Sequence, residues 1–264
     1  MLFSLILIRQ FGMNKSVKII TNFLLSLTKK SKNMFIMIEG TDGSGKSVQT
    51  KLLVKKLKQS GQPVKLISFP QYGQPSAIMV EKYLNGEFGS AVKVGPYVAS
   101  LFYALDRYAA ADKIRDWLKS GYIVIANRYV ASNMAHQGGK IKNFAQRKKY
   151  FKWNYELEYN RLNLPKPNIN IILHVTPQIS QKLVDKKGRR EYLQGKKRDI
   201  HEDDLAHLKD AEQTYLELAR LYPEFKLIEC VKNNKIMTVE QIHKKIWQIL
   251  DKKTKLKIVG GSKK

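Results

Sequence analysis

The chain has 264 residues, of which 43% are hydrophobic, and its 48 lysine and arginine residues outnumber 22 acidic ones to give a net charge of +26. This length and apolar content suit one substantial α/β core or two small ones, and we favour a single domain. The single cysteine, Cys230, excludes an internal disulfide and a C-x-x-C metal site, so the chain fits a reducing compartment.

The excess of positive charge raises the question of a nucleic-acid or membrane partner. Residues 1–38 contain no acidic side chain, the tail after Asp251 is basic, and two internal basic clusters fall at 140–152 and 186–198. The remaining lysines are scattered, and lysine-rich surfaces also follow from biased genome composition. The pattern therefore disfavours a nucleic-acid partner.

The first segment of the chain, residues 1–33, does not fit a membrane anchor. Its apolar run stops at Arg9, far short of a membrane span, and it lacks the order of charge and apolar core of a secretory signal. It resembles an organellar transit peptide. Alternatively, Met13 or Met34 is the true start, and we prefer Met34, which begins the first predicted strand region. The expected division is an extension at 1–33, a domain at 34–255 and a basic tail at 256–264.

A complete G-x-x-x-x-G-K-S phosphate-binding loop follows the apolar run 35–38 and precedes a helical pattern at 48–53. Its glycines let the backbone fold round phosphate oxygens, which the loop N–H groups and the helix dipole then bind. Lys46 is expected to reach the β- and γ-phosphates, and Ser47 to offer its hydroxyl to Mg²⁺. The loop consists of Gly40, Thr41, Asp42, Gly43, Ser44, Gly45, Lys46 and Ser47.

Four more apolar runs predict strands, and the segments between them have helical patterns. The predicted strands are 64–69, 122–126, 169–175 and 225–228, and the predicted helices are 96–119, 144–160, 203–221 and 238–250. This alternation implies right-handed crossovers and an α/β fold, a five-stranded parallel sheet with helices on both faces. Ligands of such folds bind at the carboxyl ends of the strands.

Polar and aromatic residues gather at those strand ends. Residues 69–73 follow the second strand, and 127–133 follow the third. On a predicted helix, Tyr103 and Arg107 are four residues apart and face the same way. An aromatic ring beside a cation suits a nucleobase attached to a phosphate.

Taken together, these motifs resemble the thymidylate kinase family over about residues 35–250. The motifs are residues 39–47, Phe69-Pro70, 104–107, Arg128-Tyr129 and 137–139. The resemblance implies the fold of the P-loop nucleoside monophosphate kinases with a short basic lid at about 185–200. It also implies transfer of the ATP γ-phosphoryl group to dTMP, giving dTDP and ADP in dTTP biosynthesis, with Mg²⁺ as cofactor, in a cytoplasmic homodimer.

The same resemblance implies roles for individual side chains in binding dTMP. Tyr103 matches the aromatic that stacks on thymine, Arg107 matches the arginine that reads base and phosphate, and Phe69 helps wall the nucleoside site. Arg128 matches the arginine that clamps the dTMP phosphate, and Asp42 matches a carboxylate near the 3′-hydroxyl. The residues that line sugar and base are Asn133, His136 and Gln137. For Tyr103 and His136, the alternative is ordinary packing against the sheet.

Phosphoryl transfer needs the donor and the acceptor to be aligned. It also needs cations that neutralise the negative charge spread over the transferred phosphoryl group. Some members of the family place an arginine where this chain has Gly43, and others supply arginines from a lid. The expected catalytic residues are Asp42, Lys46, Arg128 and the lid arginines Arg189, Arg190 and Arg198. The forked guanidinium suits bidentate phosphate contact, although a solvated basic loop is the alternative for each lid residue. Glu202 is a site candidate or a first-turn acid of the next helix.

Three positions depart from the family pattern. Asn127 stands where an aspartate is usual, Gln71 where many relatives carry an arginine, and His136 where an aromatic is common. Because asparagine brings no negative charge to Mg²⁺, Asp106 or Glu39 is the candidate to assist Ser47 in holding the metal. Two other functions remain open: a kinase of another nucleoside monophosphate or deoxynucleoside, and a non-catalytic, nucleotide-dependent nucleic-acid binder.

Overall fold

A computed structural model describes residues 33–185 and 205–254, and its centre is a parallel sheet. The strands of this sheet are β1 (Met34–Glu39), β2 (Val64–Ser68), β3 (Ile123–Asn127), β4 (Ile169–His174) and β5 (Phe225–Glu229). Their order is β2-β3-β1-β4-β5, and each neighbouring pair is parallel. The predicted five-stranded parallel α/β sheet is confirmed.

Helices connect the strands and cover the sheet. They are α1 (Lys46–Gln59), α2 (Ile78–Leu84), α3 (Ala91–Ala109), α4 (Ala111–Lys119), α5 (Val130–His136), α6 (Phe144–Tyr155), α7 (Pro177–Asp185), α8 (Leu205–Leu221) and α9 (Val239–Thr254). Short 3-10 turns lie at Pro75–Ala77 and Gly138–Lys140, a π-helical segment at Glu156–Arg161, and a hairpin of β6 (Val231–Lys232) and β7 (Lys235–Ile236) follows β5. No helix in the described ranges is long and apolar enough to cross a membrane.

Both faces of the sheet are buried, as the continuous apolar runs of the inner strands β1 and β3 predict. Alternate residues of β1 enter different cores: Phe35 packs with helices α4, α5, α6 and α8, and Ile36 packs with α1 and α9. A third, smaller cluster joins α2 to α3 through Tyr83 and Ala99. Helices therefore lie on both faces, and loops at the carboxyl ends of the strands are left to form a site.

Some predicted boundaries were wrong for identifiable reasons. The expected helix 96–119 is two helices that meet at Ala110. A turn that begins at Ala91, after a Ser90 cap, precedes the first of them, and Gly95, with a non-helical φ of 73° and ψ of 164°, separates this turn from the predicted start at Pro96. The expected helix 144–160 changes after Tyr155 into the π-helical segment. Helices α2 and α5, at seven residues each, are too short to show a clear apolar period. Residues 1–32, 186–204 and 255–264 lie outside the description, so the proposed domain bounds and lid remain predictions.

Candidate functional site

The phosphate loop joins β1 to α1, as the motif predicts, and two of its glycines are sterically required. A Cβ atom on Gly40 would lie 2.4 Å from the carbonyl oxygen of Leu173, and one on Gly43 would lie 2.2 Å from that of Ser180. Gly43 also has φ of 81°, in the left-handed region that favours glycine. Larger side chains at either position would displace the loop from β4 or α7.

The lysine of the loop is buried among loop oxygens. Lys46 Nζ donates to the carbonyl oxygens of Gly40 at 2.9 Å and Thr41 at 2.7 Å. These contacts hold the ammonium group inside the curve of the loop, where an anion bound by the loop N–H groups would meet it. Ser47 follows in the first turn of α1 and is exposed, so its hydroxyl is accessible to a ligand.

Glu39, the last residue of β1, fixes the turn that carries Arg128. Its buried carboxylate accepts hydrogen bonds from Tyr129 N at 2.6 Å, Ser132 N at 3.2 Å, Ser132 Oγ at 2.6 Å and the Tyr215 hydroxyl at 2.9 Å. Burial raises the pKa of Glu39, and the hydrogen bond from Ser132 opposes that rise. Arg128 itself has φ of 66°, a strained value for a non-glycine residue. Glu39 therefore orients Arg128 through the backbone.

The Arg128 side chain joins the phosphate loop to α5. Its Nη2 donates to Asp42 Oδ1 at 2.6 Å, and its Nη1 donates to Ser132 Oγ at 3.2 Å and to His136 Nε2 at 2.9 Å. Burial lowers the Arg128 pKa, but the charges of Asp42, Tyr215 and Glu39 and the hydrogen bond to Asp42 together outweigh it, so the net shift is upward. Three predicted site residues, Asp42, Arg128 and His136, thus lie in one contact group with a permanent cation at its centre.

A residue that the sequence analysis missed lies on the far side of His136. His207, on α8, places its Nε2 3.2 Å from His136 Nδ1, and the two rings stack with centroids 5.4 Å apart. The Tyr215 ring packs edge-on against His136. Burial, followed by the charge of Arg128, lowers the pKa of His136 well below its ordinary value. His136 is therefore neutral at physiological pH.

A second group of predicted residues surrounds a buried carboxylate. Arg107 donates through Nε at 2.6 Å and Nη2 at 2.8 Å to Glu158, and Asn133 Nδ2 donates to the same carboxylate at 2.9 Å. Tyr103, one turn before Arg107 on α3, meets Tyr83 edge-on with centroids 6.3 Å apart. Glu158 was expected only as a helical residue, and its position inside the protein comes from the π-helical segment.

The loop after β2 is held by Asp106. Ser76 Oγ donates to Asp106 Oδ1 at 2.7 Å, and Gln71 donates through its backbone N at 2.9 Å and its Nε2 at 3.1 Å. The preceding Phe69-Pro70 peptide is cis, and Phe69 is only 4% exposed. Asp106 therefore has a structural task, and its role as a metal ligand stays a prediction.

Gln137 has a partly buried lysine beside it. Lys140 Nζ donates to Gln137 Oε1 and to the Tyr83 hydroxyl, both at 2.6 Å. Burial lowers the pKa of Lys140 to about 7. Because its oxygen is taken by Lys140, Gln137 keeps its amide N–H groups for another partner.

Asn127, at the end of β3, has a buried Oδ1 atom that finds no hydrogen-bond partner within the described residues. Such an atom is a candidate for an oxygen ligand site. The same part of the chain contains no cluster of three or more histidine, cysteine or acidic side chains suited to a metal. Four predicted residues, Arg189, Arg190, Arg198 and Glu202, fall in 186–204 and are not described.

Comparisons with known proteins agree on one family. The family profile described as "Thymidylate kinase" matches residues 38–246. Thymidylate kinase of Mycobacterium tuberculosis H37Rv is 33% identical over 187 residues, covering 70% of this chain and 86% of that protein. A probable thymidylate kinase of Thermococcus onnurineus is 29% identical over 223 residues, covering 83% and 97%. The structure of thymidylate kinase from Candida albicans superposes with a TM-score of 0.65 at 22% identity, covering 87% of this chain and 96% of that one.

Proposed function

Because the chain belongs to the thymidylate kinase family, we propose that it transfers the γ-phosphoryl group of ATP to dTMP, giving dTDP and ADP. The observation that carries this proposal is the contact between Arg128 and Asp42, at 2.6 Å. Arg128 is a cation that suits the phosphate of the acceptor, and Asp42 belongs to the loop that suits the phosphates of the donor. Donor and acceptor would therefore meet at the carboxyl ends of β1 and β3.

The described residues supply the positioning and charge that the reaction needs. Loop N–H groups and Lys46 bind the donor phosphates, and Arg128 holds the acceptor phosphate in line with them. We assign Asp42, the carboxylate that meets Arg128, to accept a hydrogen bond from a sugar hydroxyl. Gly43 leaves no room for an arginine, so the remaining cation over the transferred group comes from elsewhere, and we assign it to Arg189, Arg190 or Arg198.

The acceptor base binds beside α3. Tyr103 supplies a ring face for thymine, and Arg107 lies one turn further along the same helix. Gln137 presents amide N–H groups, because Lys140 occupies its oxygen. These are donors that suit the carbonyl oxygens of thymine. Asn133 and Phe69 complete the walls of this nucleoside site.

Mg²⁺ is the cofactor that the family implies, and the residues present fit it. The Ser47 hydroxyl is exposed, and Asn127 Oδ1 is buried without a partner among the residues described. Both are oxygen donors of the kind that Mg²⁺ prefers, with phosphates and water completing its shell. When bound, the ion neutralises charge on the phosphates. Asp106 is the further candidate ligand from the sequence.

We also propose a homodimer that forms through α3. Five apolar side chains of this helix are between 40% and 53% exposed, and four of them follow each other at intervals of three, four and three residues. The four are Val98, Leu101, Leu105 and Tyr108, and the fifth is Tyr97. This spacing makes one stripe, which suits pairing with a second helix. Light scattering should give twice the chain mass for the wild type and the monomer mass for Leu105→Glu.

An ADP-release assay on the full chain tests the activity. With Mg-ATP, we expect turnover of dTMP far above that of dUMP, UMP, dCMP, AMP or thymidine. Arg128→Ala should abolish it, whereas Arg115→Ala removes a partly exposed arginine paired with Asp112 and should retain it. Preference for another acceptor would reassign the substrate, and ATP binding without acceptor-dependent ADP would overturn the enzyme assignment.

The reducing compartment that the lone cysteine fits supports a cytoplasmic location.

A further inference from the structure

His207 lies on α8 and is joined to Arg128 through a single intermediate. His136 Nε2 lies 2.9 Å from Arg128 Nη1, and His136 Nδ1 lies 3.2 Å from His207 Nε2. Both histidines are buried, at 8% and 7% exposure. A chain of contacts therefore runs from Asp42 through Arg128 and His136 to α8.

The direction of the hydrogen bonds in this chain follows from arginine. A guanidinium group has donors only, so His136 Nε2 must accept from Arg128 and carries no proton. A neutral His136 then carries its proton on Nδ1, and Nδ1–H donates to His207 Nε2. His207 Nε2 is thus an acceptor, whichever group meets its other nitrogen. The tautomer of His136 is set by His207 as well as by Arg128.

We propose that His207 is a positioning residue for Arg128, acting through the His136 tautomer to hold the guanidinium where it binds the acceptor phosphate. The inference rests on the proposed function for the identity of that phosphate. Because His136 and Ser132 hold Nη1, only the Nη2 side, now on Asp42, is left to turn towards a ligand. Without an acceptor at His207, His136 can move its proton to Nε2, and two N–H groups would then face each other.

Charged and aromatic neighbours surround His136, and Arg128 acts on its tautomer through Nε2. Arg128 and Lys46 bring positive charge to it, Asp42 brings negative charge, and Tyr215 packs edge-on against the ring. Among these neighbours, His207 is the one whose nitrogen meets Nδ1. The experiment therefore changes the hydrogen-bond acceptor that His207 offers to His136 Nδ1.

Two amide substitutions of His207 test whether an acceptor is needed at the position of Nε2. The side-chain oxygen of glutamine reaches the position of Nε2, whereas the side-chain oxygen of asparagine reaches only the position of Nδ1. In steady-state assays we expect His207→Asn and His207→Leu to raise KM for dTMP about tenfold, with kcat and KM for ATP changed less than about twofold. His207→Gln should restore KM for dTMP to near the wild-type value. The matched control is His243→Leu, which removes a partly buried histidine of α9 and should leave every constant unchanged.

Nitrogen-15 spectra of the histidine rings test the tautomer without turnover, with His136 assigned by comparison with His136→Asn. The wild type should show His136 protonated on Nδ1, and His207→Leu should move protonation towards Nε2. A wild-type Nε2–H tautomer, or equal KM for dTMP in the Gln, Asn and Leu variants, would overturn the proposal. If the wild type does not phosphorylate dTMP, the proposed function fails, whereas the spectra still decide the tautomer.

Discussion

The guanidinium of Arg107 and the carboxylate of Glu158 form a two-point ion pair inside the protein, with contacts of 2.6 and 2.8 Å. Their side chains are 2% and 0% exposed. The same carboxylate oxygen accepts amide hydrogen bonds from Asn133 and Asn154, each at 2.9 Å. Glu158 therefore accepts hydrogen bonds from three polar side chains. Without it, each of them would be left with a buried N–H group that has no acceptor.

Removal of this carboxylate should strongly destabilise the protein. We expect Glu158→Ala to lower the free energy of unfolding by about 3–5 kcal/mol, because it leaves the Arg107 charge buried and unpaired. Glu156→Ala is the matched control in the same π-helical segment, since the Glu156–Arg161 pair is exposed and should contribute less than about 1 kcal/mol. Urea denaturation measures both. Similar losses in the two variants would contradict the assigned role of Glu158.

Gly43 should tolerate no side chain, because a Cβ atom there meets the backbone of Ser180 at 2.2 Å. We expect Gly43→Ala to weaken ATP binding and to destabilise the protein more than Gly61→Ala. Gly61 also has a positive φ, of 76°, but open space surrounds its Cβ position, so only the strain of about 1–2 kcal/mol applies. Thermal unfolding and nucleotide titration measure the two effects. An active Gly43→Arg variant with wild-type stability would disprove the steric argument.

Strands β1 and β3 were predictable because parallel strands buried on both faces have continuous apolar sequences, and the other three are largely apolar runs with a single internal polar residue, Lys65, Asn170 or Lys226. The phosphate loop was predictable because its glycines, lysine and serine occupy fixed positions between a strand and a helix. Two helix boundaries were predicted wrongly because the sequence carries no signal for the change in backbone geometry. The junction at Ala110 carries neither glycine nor proline, and nothing in the sequence 156–161 indicates π-helical hydrogen bonds.

The partners of the site residues could not be predicted, because they come from distant parts of the chain. Glu158 is 51 residues from Arg107, and His207 is 71 residues from His136. Both partners read as ordinary polar positions of amphipathic helices. Glu39 is one of the two carboxylates that the sequence offers in place of the missing aspartate at Asn127, whereas in the structure its oxygens accept hydrogen bonds from the turn after β3 and from Tyr215.

Asn127→Asp should strengthen the proposed metal site. A carboxylate in place of this amide oxygen adds the negative charge that Mg²⁺ favours, so we expect half-maximal turnover at about tenfold lower Mg²⁺. Asn170→Asp makes the same change in β4, at another buried amide oxygen without a hydrogen-bond partner among the residues described, and should leave the Mg²⁺ requirement unaltered. An unchanged requirement in Asn127→Asp would remove Asn127 from the metal site.

Asp106→Asn tests the other candidate ligand. Asp106 accepts three hydrogen bonds from Gln71 and Ser76, which an amide can only partly replace, so we expect weaker dTMP binding. If Asp106 also held the metal, the Mg²⁺ requirement for turnover would rise in the same variant. Mg²⁺ titrations at saturating dTMP separate the two roles, and unchanged turnover and Mg²⁺ dependence would exclude Asp106 as a ligand.

His174 links protein stability to pH. Its Nε2 lies 2.8 Å from Glu212 and its Nδ1 lies 2.6 Å from Glu229, so both ring nitrogens donate and the folded state favours the imidazolium. The hydrogen bond to Glu212 raises the pKa of His174, and the contact with Glu229 raises it further. A pKa raised on folding contributes stability that is fully present below the unfolded value of about 6.5 and is lost as pH rises through the folded value.

We therefore expect the stability difference between wild type and His174→Gln to be largest at acidic pH and to shrink as pH rises above about 6.5. Urea denaturation at a series of pH values measures it. His243→Gln is the control of opposite sign, because burial lowers the pKa of His243, and protonation of this side chain below about 6.5 opposes folding. That variant should gain stability relative to wild type as the solution is acidified. If the stability difference between wild type and His174→Gln stays constant with pH, the prediction is wrong. His174 would then be a neutral ring that donates to one carboxylate at a time, and its charged form would add no stability where β4, β5 and α8 meet.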